Sequence, residues 1–207
     1  MKIKIEKLPI EYSDSLEFME SYVKTIINNN ASDLAWIIEH PNIYTYGTLA
    51  NKKDLLNPDI FPVIKTNRGG EFTYHGPGQS VVYLMVNLEK QTKDIKLFIN
   101  SIENLIINVL SQVGLPAVKN NAHHGIFIKH NEKIYKIASI GVKFKKWISS
   151  HGFSINVNPN LSNYSGIRPC GLENNLVTSI ANEGINIDHK LFNDILIEEL
   201  KKFNITG

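Results

Sequence analysis

The chain is poor in residues that advertise chemistry. It holds one cysteine, Cys170, and among 22 basic residues only two arginines, Arg68 and Arg168. A lone cysteine excludes an internal disulfide and leaves too little sulfur for a thiolate zinc site. The 22 basic and 20 acidic residues nearly cancel, so the strong single-sign field of a nucleic-acid binder is missing. No run approaches the roughly 18–20 uninterrupted apolar residues of a membrane span. The opening MKIKIEKLPIEY alternates charge with apolarity and does not read as a signal peptide. The expectation is a soluble, cytoplasmic protein that engages neither nucleic acid nor membrane. Repeats, low-complexity tracts and Pro/Ser linkers are also wanting, so residues 1–207 read as one domain.

What is present is a 43% hydrophobic chain, ample for a packed core, whose apolar residues fall into two periods. Residues 12–29 carry Leu16, Met19, Val23, Ile26 and Ile27 at helical spacing, with Ser13 or Asp14 placed to cap. Residues 93–113 carry a longer stripe ending at Gly114, and residues 189–203 form a third helix. Strands are expected at 2–8, 34–39, 62–66, 81–88, 125–129, 136–144 and 147–157, the last three as a meander with turns at 130–133 and 145–146. Helices bracket runs of strands without regular alternation. That pattern predicts an α+β (α/β) fold with a mixed, largely antiparallel sheet flanked by helices.

Three segments stand out chemically. Arg68 to Gln79 (RGGEFTYHGPGQ) packs glycines at 69, 70, 76 and 78 around Arg68, Tyr74 and His75. Glycine lets backbone amides approach a ligand, yet the spacing fits neither a phosphate loop nor a dinucleotide fingerprint. A hairpin with two tight turns is the plainer reading. The second is KIASIG, Lys136 to Gly141, where a lysine opens an apolar strand. Lysines are usually exposed, whereas burial would favour the neutral amine that a base needs. Lys133, in the turn before it, is an equally basic competitor.

The third is IRPCG, residues 167–171, preceded by His151-Gly152 and Asn156-Val157. A cysteine between Pro169 and Gly171 projects from a tight turn rather than filling a core. Its thiolate would need a nearby cation, for which Lys136, His75 and His151 are candidates. His123-His124 lacks further ligands at useful spacing, so no metal site is expected. Trp36 and Trp147 read as core or rim aromatics. Lys143, Lys145 and Lys146 form a small basic patch, a solvated face or a lure for an acidic partner.

In order, EHPNIYTYG at 39–47, RGGEFTYHGPGQ at 68–79, KIASIGV at 136–142, HGFSINVNPNLSNYSGIRPCG at 151–171 and VTSI at 177–180 resemble the lipoyl(octanoyl) transferase family across about 140 residues. The resemblance implies one catalytic domain related to the biotin and lipoate protein ligases, acting without metal or nucleotide cofactor, and a monomer. It implies transfer of octanoyl from acyl carrier protein to a lysine of lipoyl domains, those of 2-oxoacid dehydrogenase E2 subunits and of the glycine cleavage H protein. Cys170 would be the nucleophile that carries the acyl thioester, and Lys136 its acid/base partner. Arg68, Gly69, Gly70, Glu71, Phe72, Thr73, Tyr74 and His75 would line the acyl pocket with Ser139, Ile140, Gly141, Gly152, Phe153 and Ser154. Two positions depart from the family pattern: Phe127 where a tryptophan is common, with a longer turn after it, and Phe153 where an aliphatic is usual. Alternatives of the same fold are an ATP-dependent lipoate ligase and a protein-to-protein octanoyl amidotransferase. A non-enzymatic acyl-binding module with an inert Cys170 is the third.

Overall fold

A computed structural model describes residues 1–120, 123–169 and 176–205. Strands β1 (Lys2–Ile5), β2 (Leu34–Ile38), β6 (Gln79–Met85), β7 (Val118–Lys119), β8 (Ile126–His130), β9 (Lys133–Lys145) and β10 (Ile148–Asn156) form one sheet. Its order is β1-β2-β6-β10-β9-β8-β7. A smaller sheet is ordered β4-β3-β5, from β3 (Ile43–Tyr46), β4 (Val63–Lys65) and β5 (Phe72–His75). Among the described strand pairs only β1/β2 and β3/β4 are parallel; the other strand pairs are antiparallel. The mixed, largely antiparallel architecture expected from the sequence is therefore observed.

Each helix forms where an apolar stripe can be buried. In α1 (Tyr12–Ile27) the buried positions Tyr12, Ser15, Met19, Val23 and Ile26 recur every three or four residues. That face covers one side of the large sheet at Trp36, Val81, Tyr83 and Met85. The expected cap is not used: Glu11 occupies the cap position without a side-chain bond. Helix α2 (Ile95–Gln112) is capped by Asp94, which accepts from the Leu97 amide at 3.0 Å. It packs beside α3 (His189–Lys202) on the opposite side, over Val82, Leu84, Phe153 and Ile155. Among the described residues no helix is long and apolar enough to cross a membrane.

Two expectations change. The glycine-rich stretch is not a hairpin, because β5 pairs with β3 whereas β6 pairs with β2 and β10. Gly76-Pro77-Gly78 hands the chain from one sheet to the other. At Gly78 (φ +87°) a side chain would meet the Asn158 carbonyl at 2.3 Å. Lys136 does not open a strand; β9 starts at Lys133 and places Lys136 inside it, leaving only Asn131 and Glu132 as the turn.

Candidate active site

Past Ala138, the inner limit of the β8 pairing, β9 continues to Lys145 with no described strand on that side. The glycine-rich loop closes against this edge. The Gly69 amide donates to the Val142 carbonyl at 3.0 Å, and Arg68 lies over Gly141, where a Cβ would come within 3.1 Å of its Cδ. Between loop, edge and α2 lies a cavity of about 280 Å³.

Arg68 holds the loop in shape. One terminal nitrogen donates to the Gly69 carbonyl at 2.9 Å; the other reaches the Glu71 carbonyl at 3.0 Å and the Thr45 hydroxyl at 3.0 Å. A planar fork can serve several acceptors at once, which a lysine cannot. Gly47 is equally constrained, since a side chain there would strike the Gly70 carbonyl at 2.4 Å.

Lys136 is 3% exposed and lines the cavity. Its amide donates to the Leu176 carbonyl at 2.8 Å, and its carbonyl accepts from the Thr178 amide at 2.9 Å. The segment from Leu176 to Thr178 is thus stitched onto β9 at Lys136, as an isolated parallel bridge to Val177. Gly125, at φ +122°, makes room for the lysine: a Cβ there would lie 2.8 Å from Lys136 Cε. The ammonium also sits 6.0 Å from the Phe127 ring centroid. Lys133 is exposed at the start of the strand. Cys170 lies outside the described residues; the chain leading to it is fixed by the Arg168 amide, which donates to the Asp54 carbonyl at 2.8 Å.

Part of the cavity lining is polar and deeply buried. Tyr12, Arg68, His75, Tyr83 and His151 form it. Burial holds His75 well below its ordinary pKa, helped by repulsion from His40 when that ring is protonated and from Arg68. Burial also takes His151 down to about 3 and His40 to about 4, so all three rings are neutral at pH 7. His40 Nε2 is 2.7 Å from the Tyr83 hydroxyl. A further network leads back to Lys136. His75 Nδ1 lies 3.2 Å from Gln79 Oε1, the Gln79 amide donates to Asn156 Oδ1 at 2.9 Å, and the Asn156 amide donates to the Thr178 carbonyl at 2.9 Å.

Residues 11–201 match the family model of the lipoyl protein ligase A/B catalytic domain. An octanoyltransferase of Ehrlichia chaffeensis is 43% identical over 202 residues, covering 97% of this chain and 93% of that protein. The chain belongs to this family. It is an enzyme, an acyltransferase related to the curated octanoyltransferases. Solved neighbours share the fold at low identity. A putative lipoate protein ligase from T. acidophilum, with bound lipoic acid, superimposes with a TM-score of 0.74 at 14% identity, over 98% of this chain and 85% of that one. A biotin protein ligase from Aquifex aeolicus reaches 0.55 at 11%, over 98% and 68%.

Within this family member the cavity brings together Lys136, Arg68, Gly69, Gly70, Glu71, Phe72, Thr73 and His75 with Ser139, Ile140, Gly141, Gly152, Phe153 and Ser154. Tyr74 is not among the lining residues. Its hydroxyl donates to Asn42 Oδ1 at 2.6 Å and its ring packs on Tyr164. Several lining residues carried no local signal, among them Tyr12, Tyr83, Ile95 and Ile99. Each looks like an ordinary core position in its own element. Gly125 had one: a lone glycine immediately before an apolar strand.

Proposed function

We propose that this enzyme transfers an octanoyl group from acyl carrier protein to a specific lysine of lipoyl domains, through a thioester on Cys170. The Cys170 thiolate attacks the donor thioester carbonyl, and the tetrahedral intermediate collapses by expelling the pantetheine sulfur, which takes a proton from the Lys136 ammonium. The neutral Lys136 amine then accepts a proton from the incoming lysine as its nitrogen attacks the acyl-enzyme. An amide forms, and the Cys170 thiolate and the Lys136 ammonium are regenerated. Thioester exchange is nearly isoenergetic and amide formation runs downhill, so no nucleotide is consumed.

The observation that carries this reading is the double hydrogen bond between Lys136 and the segment at Leu176 and Thr178. Cys170 precedes Leu176 by six residues, a span of at most roughly 20 Å. That span limits how far Cys170 lies from the Lys136 backbone, which supports pairing its thiol with the buried amine that lines the cavity. The test is intact-protein mass spectrometry after mixing with octanoyl-carrier protein, followed by a lipoyl domain. An octanoyl adduct on Cys170, absent in Cys170→Ser and discharged to the lipoyl domain without ATP, is the expected result. Transfer that requires free octanoate and ATP would instead identify a ligase, and discharge from one lipoyl-type domain to another an amidotransferase.

A further inference from the structure

We propose that Glu183 is a positioning residue for the reaction: together with His130 it locks Thr178, and through Thr178 it fixes the backbone of Lys136. The inference rests on the acyl-transfer reading, in which the Lys136 amine serves first the departing thiol and then the incoming lysine.

Lys136 sits at an irregular point of β9. Phe127 pairs with Lys136 and Ile126 with Ala138, so the register shifts and Ile137 is passed over. A bulge of this kind bends the strand and re-aims the side chains beside it. The ladder to β8 therefore does not define the lysine's direction alone. On the opposite edge the pairing with β10 ends at Ala138. Its place at Lys136 is taken by the Leu176 carbonyl, at 2.8 Å, and the Thr178 amide, at 2.9 Å. Whatever holds Thr178 thus holds the lysine.

Thr178 is fully buried and gripped from two sides. From β10, the Asn156 amide donates to its carbonyl at 2.9 Å. From the turn that follows it, the Thr178 hydroxyl donates to Glu183 Oε1 and accepts from the Asn182 amide at 3.1 Å. The second Glu183 oxygen lies 2.6 Å from His130 Nε2. His130 closes β8 opposite Lys133, so the carboxylate ties the segment at Thr178 to the hairpin that carries Lys136. The Glu183 side chain is 7% exposed, a depth at which a carboxylate needs partners for its oxygens. Both oxygens are engaged in this one clamp, and Glu183 does not line the cavity. Its action on the chemistry runs through Thr178 and Lys136, where a displacement of about 1 Å can cost roughly a hundredfold in rate.

The test follows the thiol released from octanoyl-carrier protein with no acceptor present. Its amplitude counts competent enzyme, and its rate at rising donor concentration separates acylation from binding. Glu183→Ala is expected to slow acylation at saturating donor about tenfold or more, with amplitude and half-saturation as in wild type. Glu183→Gln should recover most of that loss, since its amide oxygen still accepts from the Thr178 hydroxyl. Thr178→Val removes the hydroxyl at similar shape, should slow acylation in the same way, and decides the matter if Glu183→Ala does not fold. A wild-type rate in folded Glu183→Ala, or in Thr178→Val where the first does not fold, overturns the assignment. So does a reduced amplitude at an unchanged rate, the mark of a merely structural role, or a raised half-saturation at the full rate. No thiol released by the wild type overturns the acyl-transfer reading itself, and the assignment with it.

Discussion

Gly125 and Lys136 are fitted to each other: the glycine on the approach to β8 leaves the space in which the lysine's terminal atoms lie, and a Cβ there would stand 3.3 Å from Nζ. Gly125→Ala should therefore act twice. The new methyl displaces the lysine, and the φ of +122° strains any side chain. A stability loss of about 1–3 kcal/mol is expected from such backbone strain, together with a drop in kcat that exceeds the change in KM. Urea titration and steady-state transfer assays check both. Wild-type kcat in the folded variant would deny Lys136 its place in the chemistry.

The two lysines of the KIYKIAS stretch should separate cleanly. Lys136 is buried on the cavity and Lys133 is exposed. Lys136→Ala is expected to lower kcat/KM by about a hundredfold or more, the usual scale for a proton-transfer group. Lys133→Ala should stay within a factor of two or so of wild type. The comparison needs only purified variants and one donor.

Arg68→Lys tests whether the loop depends on a forked cation. The described guanidinium bonds span Thr45, Gly69 and Glu71, and an ammonium cannot reach all of them. Each lost buried bond costs roughly 1–3 kcal/mol when its partner is left unsatisfied, so the chemical-denaturation midpoint should fall clearly. Acyl-thioester KM should rise with it, since the same loop walls the cavity.

The buried histidines set the acid limit of the fold. With His151 near 3 and His40 near 4 against 6.5 for an unperturbed ring, the unfolded chain binds protons that the native state refuses. Their contribution is intact above about pH 6.5 and is lost as pH falls below it. The slope is about 1.4 kcal/mol per pH unit for each ring. Glu6 and Glu199, whose pKa values are lowered chiefly by Lys4 and Lys202, add their losses only below 4.5. Denaturation midpoints between pH 6.5 and 5 should thus report the histidines, and His151→Asn should flatten the slope.

Much of this was legible in the sequence, and the limits have physical causes. The stripes of α1, α2 and α3 read correctly because each helix buries one face, and the β8–β10 meander because polar turns interrupt apolar runs. The hairpin misreading at 68–79 arose because β5 and β6 are adjacent in sequence yet belong to different sheets, a choice made by partners at Ile43–Tyr46 and Leu34–Ile38. The family motif swept Tyr74 into the pocket, whereas its side chain is held by Asn42 and Tyr164, partners distant in sequence. The burial of Lys136 depends on a segment forty residues later that bonds to its backbone. No local pattern carries that.

The stretch of β9 from Ser139 to Lys145 is a length of strand whose outer amides and carbonyls face no neighbouring strand among the described residues. Bare edges of this kind are templates on which a second chain can add. The loop that walls the cavity is the element that blocks this one, through Gly69 on Val142. Substrate enclosure and resistance to self-association are therefore vested in the same few glycines, and a mutation that loosens them invites oligomers as well as inactivity.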